Sequence, residues 1–151
     1  MRIGVISDTH GLLRPEAVTA LRDVEHILHA GDVGNAVVLE QLAQIAPVTA
    51  IRGNVDRNGP CARLPATELV ELAGSSIYML HDVQGLDLDP KAAGIHIVVS
   101  GHSHKPLIEW KKEVLYFNPG SAGPRRFSLP VSLGFIEISE HESTPHLWRL
   151  D

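Results

Sequence analysis

The sequence predicts a mixed α/β fold with a parallel front half and an antiparallel back half. Three observations lead to this prediction. Short runs rich in Val and Ile recur and have the length of buried strands. Two stretches with helical spacing separate the first three runs, and paired strand-like segments follow in the second half. Two stacked sheets with helices outside would account for this much strand, and we expect one domain over residues 1–151.

The front half predicts a parallel sheet. Pro15 can occupy the first turn of a helix that runs to about Asp23, and Asn35 can cap a second helix that ends before Pro47. Because strands alternate with helices here, the strands are expected to be parallel. The five apolar runs predicted as buried strands are residues 3–6, 27–30, 48–51, 77–80 and 95–99.

The back half predicts hairpins. Turn residues at 74–75 and 112–113 separate strand-like segments, and a short helix is predicted near residues 90–93. The predicted antiparallel pairs are 67–72 with 76–80, 106–111 with 114–117, and 131–139 with 145–150.

Composition excludes several classes of protein. With 44% hydrophobic and 21% charged residues, the chain is neither disordered nor fibrous. A net charge of −5 argues against a dedicated nucleic-acid binder, which usually carries a basic patch. Cys61 is the single cysteine, so an intrachain disulfide and a thiolate zinc cluster are excluded. No apolar run suggests a membrane span or a secretory signal, so we expect a cytoplasmic protein without a membrane partner.

Asp, Asn or His follows each of the five predicted strands after at most a short spacer. In open α/β sheets the ligand crevice lies beyond the carboxyl ends of the strands. If the five strands are neighbours, these side chains converge on one site. Alone, most of these motifs are better explained as an ordinary turn or a partly buried polar residue; together they favour a site. The seven candidates are Asp8, His10, Asp32, Asn54, His81, His102 and His104.

These residue types point to a metal centre. Imidazole, carboxylate and amide donors without thiolate suit Mn, Fe, Zn, Co or Ni. Seven ligands are too many for one open catalytic ion, whereas two divalent ions sharing a bridging carboxylate would use them all. The remaining histidines do not share this placement and are interpreted as packing or surface residues: His26, His29, His96, His141 and His146.

The ordered motifs resemble those of calcineurin-like metallophosphoesterases. The small size and the segment Asn118-Pro-Gly-Ser121 resemble the YfcE-type phosphodiesterase branch, which is similar to a small subunit of the retromer complex. The resemblance covers residues 2–125. The motifs that carry it are Asp8-x-His10, Gly31-Asp32, Gly53-Asn54-x-Asp56, His81 and Gly101-His102-x-His104.

The resemblance implies a four-layer α-β-β-α sandwich and a two-metal phosphodiesterase. One ion, most commonly Mn, would bind Asp8, His10, Asp32 and His104, and the other would bind Asp32, Asn54, His81 and His102. A metal-bridged hydroxide would attack the phosphorus of a small phosphoester. Catalytic roles fall on Asp32, Asn54 and His102, with Asn54 also binding the substrate.

Two departures from the family pattern stand out. Val55 occupies the place of a histidine that helps to protonate the leaving group in the wider superfamily, so good leaving groups should be preferred. The chain reads His81-Asp82-Val83 where relatives often read His-Gly-His, which makes Asp82 a candidate for supporting a ligand.

Other functions remain open at this point. A retromer-like interaction scaffold with a vestigial site is one alternative, although such a scaffold should have lost ligands. Phosphomonoester hydrolysis is another, because the same ions support it. The net charge disfavours a nuclease. A homo-oligomer is possible, and the sequence does not specify its size.

Overall fold

A computed structural model describes residues 1–140 and 142–151. The helices are α1 (Pro15–Leu21) and α2 (Ala36–Ala43), and short 3₁₀ turns lie at Pro60–Arg63 and Val83–Gly85. The interpretation of His141 as a packing or surface residue lies outside the described residues. The strands are β1 (Arg2–Ile6), β2 (His26–His29), β3 (Val48–Ala50), β4 (Thr67–Leu72), β5 (Ser75–Leu80), β6 (Ile97–Val99), β7 (Leu107–Lys111), β8 (Val114–Asn118), β9 (Ser132–Ser139) and β10 (Glu142–Arg149).

The strands form two mixed five-stranded sheets. The first has the order β10-β9-β1-β2-β3, in which β1, β2 and β3 are parallel and β9 and β10 are antiparallel. The second has the order β4-β5-β6-β8-β7, in which β5, β6 and β8 are parallel and the edge strands are antiparallel. The predicted parallel front half and the three hairpins are confirmed. The five apolar runs are not all neighbours in one sheet, however, because three lie in the first sheet and two in the second.

The main hydrophobic core lies between the two sheets. Ile3 and Val5 of the first sheet and Met79 and Phe117 of the second belong to one buried cluster. A second cluster covers the outer face of the first sheet, where α1 and α2 pack. Layered burial of this kind is the source of stability that the residue pattern predicts.

The outer face of the second sheet has a thin cover, which contains no α-helix among the described residues. Leu86, Leu88 and Ile95 pack there against the sheet. The short helix predicted near residues 90–93 is wrong, because the chain makes hydrogen-bonded turns that end at Gly94 in the left-handed region, φ +77°. The two-sheet sandwich of the calcineurin-like fold is confirmed, and its fourth layer consists of turns in this protein.

The two predicted helices are present and begin where expected. Pro15 is in the first turn of α1, which ends at Leu21, two residues before the predicted end. The Asn35 side chain caps α2 by accepting a hydrogen bond from the Val37 N–H at 2.9 Å. Neither helix, nor any other in the described residues, is long and apolar enough to cross a membrane.

Gly134 of β9 faces Phe117 of the second sheet, and a Cβ atom there would overlap the Phe117 ring. We expect Gly134→Ala to lower the free energy of unfolding by about 1–3 kcal/mol through overpacking. Gly85→Ala is the matched control, because a Cβ at Gly85 would meet no atom within 4 Å. Urea denaturation in EDTA measures both variants, and equal stabilities would contradict this account of the contact between the sheets.

Candidate metal centre

The site lies at one edge of the sandwich, where the parallel strands of both sheets end. Asp8 and His10 follow β1, Asp32 follows β2 and Asn54 follows β3, while His81 follows β5. His102 and His104 follow β6 of the second sheet. The backbone N–H of His102 donates to Asp8 Oδ2 at 3.1 Å, which joins the two groups. The structure therefore brings the seven predicted residues together, although from two sheets rather than from one.

The buried half of the site is built around two carboxylates. Asp8 Oδ1 lies 3.9 Å from His10 Nε2, 3.7 Å from His81 Nε2 and 3.3 Å from His104 Nε2. Asp32 Oδ2 lies 3.7 Å from His10 Nε2 and 3.2 Å from His81 Nε2. The Asp32 carboxylate thus faces both His10 and His81.

The outer half of the site is more exposed. His102 Nδ1 lies 3.2 Å from Asn54 Oδ1, and the His102 ring packs edge-on against His81 with 5.2 Å between centroids. At another edge of the His102 ring, Nε2 lies 3.7 Å from Asp82 Oδ2. Asp82 is therefore near enough to support His102, as its place in the sequence suggested.

Several buried polar atoms in this cluster lack a hydrogen-bond partner in the described residues. They include Asp8 Oδ1, His10 Nε2 and His81 Nε2. A buried unpaired polar group typically costs about 1–3 kcal/mol. Two overlapping groups with their donor atoms within 4.8 Å of one another are Asp8, His10 and His104, and Asp8, Asp32 and His81. Nitrogen and carboxylate donors that converge without protein partners fit divalent metal ions.

Hydrogen bonds prepare His81 and Asp32 for this role. His81 Nδ1–H donates to the Ala30 carbonyl at 2.7 Å, which leaves Nε2 to face the two carboxylates. Burial alone would lower the pKa of His81, but the adjacent Asp32 carboxylate, the Ala30 carbonyl and the charge of Asp8 together outweigh it and raise the pKa. Burial would raise the pKa of Asp32, but the neighbouring His81 ring and the hydrogen bond from the Val55 N–H hold it at about 2. Asp32 is therefore a carboxylate at neutral pH.

Most of the candidate ligands have a backbone conformation that L-residues rarely adopt. Five of the seven have positive φ, between +48° and +70°. Hydrogen bonds between the loops, such as Asp8 N–H to the Gly31 carbonyl at 3.0 Å, hold them there. Such strain is typical of functional sites, where the surrounding structure imposes it. The five residues are Asp8, His10, Asp32, His102 and His104.

Asp56 is a positioning residue that the sequence showed only as part of a motif. Its buried carboxylate accepts hydrogen bonds from the N–H groups of Val33, Gly34 and Gly53 at 2.9–3.1 Å. Those residues flank Asp32 and Asn54, so Asp56 joins the two loops. Nothing in its spacing distinguishes it from an ordinary turn aspartate.

His29 is fully buried, as a packing residue would be, but it also organises the site loops. Its Nδ1 accepts from the Gly31 N–H at 3.1 Å, so Nε2 carries the proton and donates to Thr9 Oγ1 at 3.0 Å. Thr9 Oγ1 in turn donates to the Val33 carbonyl at 2.9 Å. Because burial disfavours the charged ring, the pKa of His29 is lowered to about 4. This series of hydrogen bonds links the loops after β1 and β2.

The loop after β6 is held by Asn118, whose Nδ2 donates to the Gly101 carbonyl at 2.9 Å and to Ser103 Oγ at 3.1 Å. Three further histidines have contacts elsewhere. His26 pairs with Thr49 at 2.8 Å, His96 accepts from the Ser76 N–H at 2.9 Å, and His146 lies 3.9 Å from Glu137. Their separation from the candidate ligands agrees with the interpretation from the sequence.

The sequence matches the calcineurin-like phosphoesterase superfamily domain over residues 1–141, nearly the whole chain. The chain belongs to the calcineurin-like phosphoesterase superfamily. It is 38% identical over 142 residues to a protein of Methanothermobacter thermautotrophicus named "Probable metallophosphoesterase", covering 86% of this chain and 82% of the relative. The resemblance recognised in the motifs is thereby confirmed.

The YfcE-type branch is also represented among the relatives. Phosphodiesterase YfcE of Escherichia coli K12 is 28% identical over 161 residues, covering 91% of this chain and 88% of YfcE. A crystal structure of Vps29 from Entamoeba histolytica, complexed with zinc, superposes with a TM-score of 0.75 at 19% identity and full coverage of both chains. At 19% identity, the similarity to Vps29 is evidence about the fold of this calcineurin-like phosphoesterase.

The network of His29 predicts a specific pH dependence. The pKa of His29 is about 4 in the folded chain and 6.5 in the unfolded chain, so the unfolded state binds more protons as the pH falls. Its contribution, roughly 3 kcal/mol, is complete above pH 6.5 and is lost as the pH falls towards 4. In EDTA, we expect the wild type to exceed His29→Asn in stability at pH 7.5 and to lose this advantage near pH 4.5. Urea denaturation at several pH values gives the difference, and a constant difference would contradict the assignment.

Proposed function

We propose that the site holds two divalent metal ions. Asp8, His10, Asp32 and His104 would hold one ion, while Asp32, Asn54, His81 and His102 would hold the other. The observation that carries this proposal is the set of unpaired buried atoms on Asp8, His10 and His81 around the two carboxylates. The Asp32 carboxylate is suited to a shared role, since its Oδ2 lies within 3.7 Å of both His10 and His81.

The function that this site supports best is hydrolysis of a small phosphodiester. When bound, the two ions would supply a bridging hydroxide as nucleophile at neutral pH and would neutralise charge on the phosphoryl oxygens. The donor set is compatible with manganese, zinc, iron, cobalt or nickel, of which we propose manganese. Membership of the phosphoesterase superfamily and the likeness to YfcE support the reaction class.

The protein's own residues would orient the substrate and the reacting groups. Asn54 is exposed next to His102, so its amide is available to the phosphate as well as to a metal ion. The Val55 N–H donates to Asp32 Oδ1 at 3.0 Å, which orients the shared carboxylate. The Val55 side chain is 45% exposed and has no proton to donate to a leaving group. We therefore propose catalytic roles for Asp32, Asn54 and His102 and a preference for good leaving groups.

The net charge of the chain bears on the partners that we expect for the enzyme. A net charge of −5 favours a small phosphoester over a nucleic-acid partner. We propose a cytoplasmic enzyme without a membrane partner, in which self-association is compatible with the exposed edge strand β7.

Two alternative functions each have a specific reason in their favour. Phosphomonoester hydrolysis would use the same ions. A scaffold role draws support from the shared fold of Vps29 and from the exposed Leu107, Ile108 and Trp110 on β7. The seven retained ligand candidates favour the enzyme, because a scaffold does not require converging unpaired donor atoms.

Asp32→Asn tests the enzyme proposal. Wild type with Mn²⁺ should hydrolyse bis-p-nitrophenyl phosphate, EDTA should abolish the activity, and the variant should lose at least about 100-fold in kcat/KM because the shared carboxylate is neutralised. Asp87→Asn, the same charge change at an exposed position, is the control. Equal activity of wild type and Asp32→Asn, or indifference to metal, would overturn the proposal.

Val55→His tests the leaving-group argument. A histidine at this exposed position should raise kcat/KM for diesters with alkyl leaving groups about ten-fold, below the ~10²–10⁴ of an optimised general acid, with a smaller gain for p-nitrophenoxide. Val55→Asn adds polarity without a titratable proton. If both variants gain equally, or neither gains, proton donation is not what position 55 lacks.

A further inference from the structure

A second cleft adjoins the proposed metal centre. It is lined on one side by Asp82, Val83 and Gln84, and its other lining residues include Lys105, Pro106 and Leu107. Its volume is about 440 Å³, within the roughly 300–1,000 Å³ of typical small-molecule sites. We call it the apolar cleft. A separate cleft, the ligand-side cleft, contains Asn54 and His81 together with Arg52.

Of the residues that the structure describes, only His102 and Asp82 line both clefts. They form the ridge between the clefts, with His102 Nε2 3.7 Å from Asp82 Oδ2. Asp82 Oδ1 also accepts from the Gln84 N–H at 3.0 Å and caps the 3₁₀ turn that carries Val83. The turn that carries Val83, which forms one wall of the apolar cleft, is thus connected through Asp82 to His102 of the proposed centre.

The chemistry of the apolar cleft favours an uncharged apolar occupant. Val83 is 36% exposed and Leu107 is 43% exposed, so both offer apolar surface at the cleft. Within the described part of the chain, Lys105 and Asp82 are its only charged lining residues, and their formal charges cancel. The cleft therefore has apolar surface to bury and no excess positive charge to hold a second phosphate.

We propose that the apolar cleft binds one ester substituent of the substrate, and that this substituent is an aromatic or similarly apolar group. The inference rests on the proposed phosphodiesterase function. With the phosphate over the ligand-side cleft, one arm of a diester reaches across the His102–Asp82 ridge and contacts Val83 and Leu107. A phosphomonoester has no second arm to place there. The substrate class is therefore a phosphodiester with at least one apolar, ring-sized arm.

The test uses two diesters with the same leaving group, methyl p-nitrophenyl phosphate and phenyl p-nitrophenyl phosphate, and the monoester p-nitrophenyl phosphate. The shared p-nitrophenoxide makes the retained substituent the variable of interest between the diesters. Leu107→Ser and Val83→Ser should each lower kcat/KM for the phenyl diester about ten-fold, mainly through KM, and change the methyl diester and the monoester less than two-fold. Ile108→Ser is the matched control: Ile108 is 38% exposed, next to Leu107 on β7, and absent from the cleft lining.

Each outcome has one meaning. Selective loss for the phenyl diester in both cleft variants, with Ile108→Ser unchanged, supports the proposal. Equal loss for all substrates, no loss, or the same loss in Ile108→Ser overturns it. If wild type hydrolyses none of the three esters with Mn²⁺, the proposed function itself fails, which distinguishes that failure from failure of the cleft assignment. Circular dichroism and urea denaturation of each variant check that the exposed substitutions leave the fold intact.

Discussion

The structure depends on holding two buried carboxylates and three neighbouring imidazoles in an arrangement where they do not satisfy one another. Asp8 and Asp32 are almost fully buried, and burying a carboxylate is costly unless hydrogen bonds or cations compensate. Ser7 Oγ and the His102 N–H donate to Asp8, and the Val55 N–H donates to Asp32. Among the described residues, the inward atoms Asp8 Oδ1, His10 Nε2 and His81 Nε2 have no hydrogen-bond partner, and a cation is the partner that suits all of them.

Several independent contacts determine the conformation of the loops around this cluster. Positive φ at five candidate ligands would be unfavourable for isolated segments. Asp56 joins the loops after β2 and β3, while the chain from His29 through Thr9 joins the loops after β1 and β2. The regular, fully apolar core between the sheets lies directly beneath and supplies the stability that such strain requires.

The fold does not by itself decide the function of this calcineurin-like phosphoesterase. YfcE, named a phosphodiesterase, is similar in sequence, and Vps29 shares the sandwich. What distinguishes possible functions is local chemistry: whether the donor atoms converge, and what surface surrounds them. In this protein, Asp82 and Val83 depart from the family pattern, and they lie on the ridge and the wall of the apolar cleft. The same two residues therefore connect the proposed metal centre to the surface that a substrate would contact.

The amino-acid sequence by itself determined which segments become strands and which side chains follow them, because apolar runs, the Asn35 cap and the polar residues after each run are local signals. The sequence could not show that three of the five predicted strands belong to one sheet and two to the other. A single five-stranded sheet and two separate sheets would bury the same apolar runs. Nor could the sequence reveal the positioning contacts of His29 and Asp56, which join residues about 20 positions apart. Only tertiary structure decided those contacts and the left-handed ligand loops, because hydrogen bonds between distant segments, rather than local preference, impose them.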